Sequence, residues 1–415
     1  MQKHEATELP PPLDLSGWRQ TPAVLMVIGG ILSIIGGIAS PEEFGYSWLT
    51  AFMLCLTITL GALFLVLIHH LTDAGWSVAT RRVCEHLAAL LFPWLAILFI
   101  PVALFAPKIY HWLALNPADD RALSAKMPLF TYPGLLIISA AFFAIWWLLS
   151  SRLRYWSLRQ DVTGDPLCTH RMRFHSGWGI LAFAATVTVS SIVWINSLHY
   201  QWSSTIYGLY FFACCGWTGV ALTYLLTMIL QRQRVLAGVL HDNQFYFLGV
   251  LFFAFTLLQA YFEFAQYFVI WNGNVPDETF WYLLRERGSW WWVCMTLIFG
   301  HFFAPFILLL SARAKMNFKI MLPVCLWALL MDYTDMAFNI LPASPLNRGG
   351  YPFQWIWLQF GCVAFMAGFL MRVFLKNFLS HPPYPQRDPR VLEAMGIAHE
   401  PEELPDTLPS EGGAQ

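Results

Sequence analysis

Three carboxylates interrupt apolar runs long enough to cross a membrane: Glu263 in AYFEFAQYFVIW, and Asp332 and Asp335 in MDYTDMAFNILP. A carboxylate taken out of water must be paired, hydrogen-bonded or protonated, so such groups point to proton or ion handling. Gln266 and Tyr267 lie three and four residues beyond Glu263 and share its helix face. At 1.5 Å per residue, Glu263 sits ~8 Å outward of the centre of its run. Asp332 and Asp335 are three apart and share a face; two carboxylates that close rarely ionise together and titrate as a pair. His301, in GHFFAPFILLLSARAK, lies near the middle of its run, and Pro305 frees a backbone carbonyl four residues earlier.

A second polar set, His69, His70, Glu85, His241 and Asp242, gathers at the inner ends of the runs. Glu263, Gln266, Tyr267, Asp332 and Asp335 outside, His301 at the centre, and His70, Glu85, His241 and Asp242 inside would suit two proton half-paths meeting mid-membrane. The bland alternatives are helix–helix hydrogen bonds for the outer set and solvated helix ends for the inner one.

Positioning these groups requires ten apolar runs, near 22–39, 47–68, 87–105, 128–150, 177–197, 206–230, 245–270, 289–311, 320–340 and 354–376. A span needs about 20 mostly apolar residues. Of the 415 residues, 57% are hydrophobic and only 12% charged, which describes an all-α polytopic membrane protein. A net charge of −1 argues against nucleic acid as a partner. The first 21 residues carry Lys3, Glu5, Glu8, three prolines and Arg19, unlike a signal peptide, so the first run is expected to stay as a helix. With ten spans, 18 of the 24 Lys and Arg residues fall on the side of both termini, which places the termini in the cytoplasm.

The loops are mostly short. The exceptions are 106–127 outside and a basic inner segment, 151–174, with Arg152, Arg154, Arg159, Arg171 and Arg173. Gly29 and Gly36 share one face of the first run and permit close helix approach. Trp290, Trp291, Trp292, Trp355 and Trp357 mark outer boundaries as aromatic anchors. Residues 377–415 form a Pro-rich acidic tail, mostly disordered by composition, with Tyr384–Arg390 ordered against the inner face. The eight cysteines form no C-x-x-C pair, so no metal or iron–sulfur ligand set is visible. Only His301 is deep enough to ligate an intramembrane haem, and it lacks a partner. A quinone would need an apolar cleft with one or two polar groups, which the Trp- and Phe-rich outer ends offer.

The stretch FGYSWLTAFMLCLTITLGALFLVLIHHLTDAGWSVATRRVCEHLAAL resembles the second large membrane subunit of bacterial alternative complex III, a quinol:acceptor oxidoreductase. This subunit belongs to the NrfD-like (polysulfide-reductase-like) superfamily. WINSLHYQWSSTIYGLYFFA, FAQYFVIWNGNVPDETFWYLLR, HFFAPFILLLSARAK and PYPQRDPRVLEAM extend the likeness, in order, over nearly the whole chain. The resemblance implies two four-helix bundles, about 47–197 and 206–340, with flanking helices 22–39 and 354–376 and a transmembrane domain over 22–376. It implies a bacterial inner-membrane location and no redox centre or catalytic residue in this chain. Iron–sulfur clusters and haem c would lie in partners: an iron–sulfur subunit, multihaem cytochrome c subunits, a quinol-binding NrfD-like sister subunit, and in some assemblies a terminal oxidase. Quinone binding is widespread in the superfamily, but for this branch the resemblance favours a proton path through the second bundle. His70, Glu85, Asp242, Gln266, His301 and Asp335 fall on characteristic family positions. Val193 stands before Trp194 where an acid is common, Asp332 where a basic residue is common, and Glu263 where a small polar residue is usual. The competing readings are a proton-coupled secondary transporter and a purely structural membrane anchor.

Overall fold

The computed structural model describes residues 20–236, 238–240 and 242–395. The N-terminal segment 1–19, His241, the side chain of Asp242 and the tail 396–415 lie outside the described residues. Ten helices are long and apolar enough to span a membrane. They are α1 Gln20–Ala39, α2 Pro41–Thr72, α3 Gly75–Ile109, α4 Tyr132–Thr163, α5 Leu167–His199, α6 Tyr207–Arg232, α7 Asn243–Gly273, α8 Trp290–Leu309, α9 Phe318–Ala343 and α10 Phe353–Leu379. No strand occurs among the described residues. The chain is an all-α, multi-pass membrane protein. An even number of spans returns both ends of the chain to one face, called here the terminal face; the opposite face is the distal face.

Packing follows two rings. Helices α2, α3, α4 and α5 contact one another in turn, as do α6, α7, α8 and α9; α1 and α10 form a pair against α2. The rings meet along α2 and α6, in whose most apolar 18-residue stretches 83% of residues are buried, against 22% for α1 and α8. Small residues make this seam: a Cβ on Gly61 of α2 would lie 1.8 Å from the Cys215 carbonyl oxygen of α6. Close backbone approach of this kind replaces the hydrophobic drive that is missing between helices in lipid. The expected close approach of α1 is also present, since Gly29 faces the α10 backbone at Gly361 and Phe365.

Two expectations change. Residues 151–174 are not a basic loop: α4 and α5 continue through them, and only residues 164–166 make the turn. Gly164, at φ 69°, takes the left-handed cap that ends α4. The arginines sit on helix ends that run past the apolar core, where long stems can cover apolar surface while the charge reaches water. Second, Trp290 is a core residue whose Nε1 donates to the Asn347 carbonyl at 2.7 Å; only Trp291 and Trp292 of that triplet are exposed.

Candidate functional site

Asp332 and Asp335 lie on the inward face of α9, 0% and 1% exposed, at the junction of the two rings. Asp335 accepts hydrogen bonds from Tyr210 of α6 and from Asn339 Nδ2, one turn on, at 3.2 Å. Cys214 and Gln259 approach the same carboxylate at 3.5 Å. Asn339 also donates to Tyr210 Oη at 2.9 Å and accepts from Tyr207 Oη at 3.0 Å. The result is a polar chain, Tyr207–Asn339–Tyr210–Asp335, running inward from the distal end of the second ring. Arg285, on the short distal helix Pro276–Arg285, covers that end. It donates to the Phe338 and Asn339 carbonyls of α9 and to the Trp281 carbonyl, each at 2.9 Å, with its guanidinium 3.4 Å from the Trp281 ring centroid. These bonds satisfy carbonyls that the end of α9 leaves open.

Asp332 looks the other way. One oxygen is 2.8 Å from Thr57 Oγ1 on α2 in the first ring; the other has no partner among the described residues. Thr57 Oγ1 is also 2.8 Å from the Leu54 carbonyl. A hydroxyl carries one hydrogen, so Thr57 cannot donate to both. Every contact is satisfied when Asp332 itself carries a proton and donates it to Thr57 while Thr57 donates to Leu54. One oxygen each from Asp332 and Asp335, with Cys214 Sγ, lie within 4.8 Å of one another. That spacing suits a proton or small cation held between two carboxylates, because two such charges side by side in an apolar interior are costly.

The other expected members of the outer set divide. Glu263 of α7 is half-buried and lies within electrostatic reach of Asp335, Tyr210 and Tyr282. Gln266 is buried, accepting from Ser204 at 2.9 Å and donating to Tyr282 at 3.2 Å. Tyr267 turns outward, 39% exposed, its ring 5.1 Å from Tyr282. His301 is buried but outside the polar chain. Its ring meets Trp217 edge-on at 4.0 Å, and its Nε2 has no partner among the described residues. It lies in a π-helical turn, Leu297–Phe303, just before Pro305, which has no N–H to give the His301 carbonyl.

The inner set forms a separate network on the terminal face. His70 and Glu85 are 4% and 2% exposed rather than solvated, because residues 381–395 fold back over the helix ends. Glu85 pairs with Arg82 at 2.8 Å and lies 3.1 Å from Arg81 Nε. Arg81 also pairs with Asp388 of the returning segment, and Arg82 with Asp161 of α4. Arg81 donates to His69 Nε2 at 3.0 Å, so His69 must carry its hydrogen on Nδ1, 2.6 Å from Ser77 Oγ. His70 packs on the His69 ring at 4.8 Å, its Nε2 without a partner among the described residues. Asp242 begins its helix on this face, and no side-chain geometry is described for it.

A cavity of about 500 Å³ is an apolar groove between α10 and helices α2, α3, α6 and α9, away from the Trp-rich distal ends. Tyr333 lies on its wall and donates to Gln359 Oε1 at 2.8 Å. Thr57, Tyr207, Tyr210 and Arg285 escape a sequence reading, because each acts through a helix dozens to hundreds of residues away. No protein-family model and no curated protein matches this chain.

Proposed function

We propose that the chain is a membrane subunit of a quinol-oxidising respiratory complex of the alternative complex III kind, and that its second ring moves protons. In this reading the protein sits in a bacterial inner membrane with the terminal face, and so both termini, in the cytoplasm. Iron–sulfur, multihaem cytochrome c and quinol-binding subunits assemble around it. The excess of basic residues on the terminal face supports the orientation. The sequence likeness and the two-ring packing support the assembly.

The observation that carries proton movement is the carboxylate pair. Asp335 ends a chain of hydroxyl and amide groups from the distal side, and Asp332 hands the line to Thr57 across the ring boundary. Tyrosine hydroxyls and a proton-sharing carboxylate pair donate and accept in turn, whereas the Asn339 amide orients its neighbours without readily passing protons. Glu263 is the nearest further acid on the α7 side. On the terminal side, His70 Nε2 and both ring nitrogens of His86 have no hydrogen-bond partner among the described residues, near guanidiniums already committed to Glu85, Asp161 and Asp388.

Purification from the native membrane in mild detergent tests the assembly. Covalent haem absorbance and iron should travel with this chain. A chain that purifies alone and drives solute-dependent proton flux in liposomes would instead be a transporter.

A further inference from the structure

The distal face carries only six of the 24 Lys and Arg residues: Lys108, Arg121, Lys126, Arg285, Arg287 and Arg348. Two of the six, Arg287 and Arg348, line one cavity of about 380 Å³, together with His111 and His199. Arg285 acts on His199 from beside it. Basic residues are disfavoured on a translocated face, so their convergence on one hollow calls for a ligand.

Among the described residues, neither arginine makes an ion pair or a side-chain hydrogen bond, and no carboxylate lines the cavity. Two nearby acids have other partners: Asp120 accepts from Tyr200 at 2.7 Å and caps Arg121–Ser124, and Glu42 accepts from Ser344 at 3.1 Å. His111 is 3.3 Å from Tyr46 Oη, while the buried Nε2 of His199 has no partner among the described residues. Phe280 and Leu283 supply an apolar wall, Leu283 being 50% exposed. Two guanidiniums side by side make charge-assisted bonds to tetrahedral oxyanions, with arginine favoured for its planar fork.

We infer that this cavity binds a phosphate ester, its oxygens held by Arg287 and Arg348. The apolar wall favours an amphiphile, so an anionic phospholipid headgroup is the natural source; free phosphate offers the same chemistry.

The test uses the full chain, in its complex, and an Arg287→Gln/Arg348→Gln variant. Both side chains are exposed and unpaired, so the variant should keep its unliganded melting temperature. Native mass spectrometry after exchange into phosphatidylglycerol or phosphatidylcholine reads lipid retention, and melting with and without inorganic phosphate reads the free anion. Phosphatidylglycerol retained about tenfold better than phosphatidylcholine, with that preference lost in the variant, identifies the lipid. A phosphate-dependent rise in melting temperature confined to the wild type identifies the free anion. Equal retention of both lipids with no phosphate effect in the wild type, or binding unchanged in the variant, overturns the inference.

Discussion

Thr57 on α2 and Asp332 on α9 meet at 2.8 Å across the seam of the two helix rings, 275 residues apart in the chain. The bond ties a hydroxyl that already faces the Leu54 carbonyl to a carboxyl with one unpartnered oxygen. Thr57→Val keeps the shape and removes the hydroxyl. It leaves a buried acid unsatisfied and should cost about 1–3 kcal/mol. Asp332→Asn can still donate to Thr57 and should cost less. Melting of the purified complex compares them; equal losses would mean that Asp332 does not donate.

The seam also rests on Gly61. Any side chain there collides with the Cys215 carbonyl, a backbone atom that cannot swing away. Gly61→Ala should therefore part α2 from α6 and cost about 4 kcal/mol or more, the range kept for severe packing faults. Expression and detergent-resistant melting would check this. A variant that melts like the wild type would show that the helices can separate freely.

Tyr210 is the only described side chain that bonds both Asn339 and the Asp335 carboxylate. Tyr210→Phe should leave assembly and electron transfer in place. It should slow proton delivery by about 100-fold, the low end of what a positioned proton-transfer group supplies. Stopped-flow acidification with a pH dye on a single quinol oxidation reads the rate.

On the terminal face, the returning segment 381–395 should be pH-sensitive through Asp388. Burial acts to raise its pKa, but the Arg81 guanidinium and the Arg390 amide more than reverse this and hold the carboxyl below its usual range. A lowered native value stabilises the docked form above about pH 4, where unfolded aspartate is ionised. The contribution fades as pH falls through the native value. Asp388→Asn should remove about 3 kcal/mol, since Arg81 then loses one buried partner. Hydrogen exchange at residues 384–395 should rise in the variant at neutral pH, and in the wild type only in acid.

Much of the frame was legible before any coordinates. All ten apolar runs became membrane-length helices, and the α-helical, multi-pass class followed from hydropathy alone. The inward turn of Asp332 and Asp335 was not legible, since a period of 3.6 tells which residues share a face but not what that face meets. Thr57 gave no signal because its partner comes from the ninth span. Arg285 sits in a loop-like stretch, where nothing announces a buried guanidinium. The arginines at 152–173 read as a loop because charge masks helix continuation beyond the apolar core. His70 and Glu85 read as solvated because the covering segment, 381–395, is polar and Pro-rich and follows the last span.

The most direct test is proton release per electron in liposomes containing the complex, with quinol as donor, for wild type and Asp335→Asn. Asparagine keeps the side chain's shape but cannot lose a proton at the carbonyl end. With quinol oxidised at the wild-type rate, the number of protons moved per electron should fall. An unchanged stoichiometry at an unchanged rate would mean that protons pass elsewhere and that the buried carboxylates only bind the two rings together.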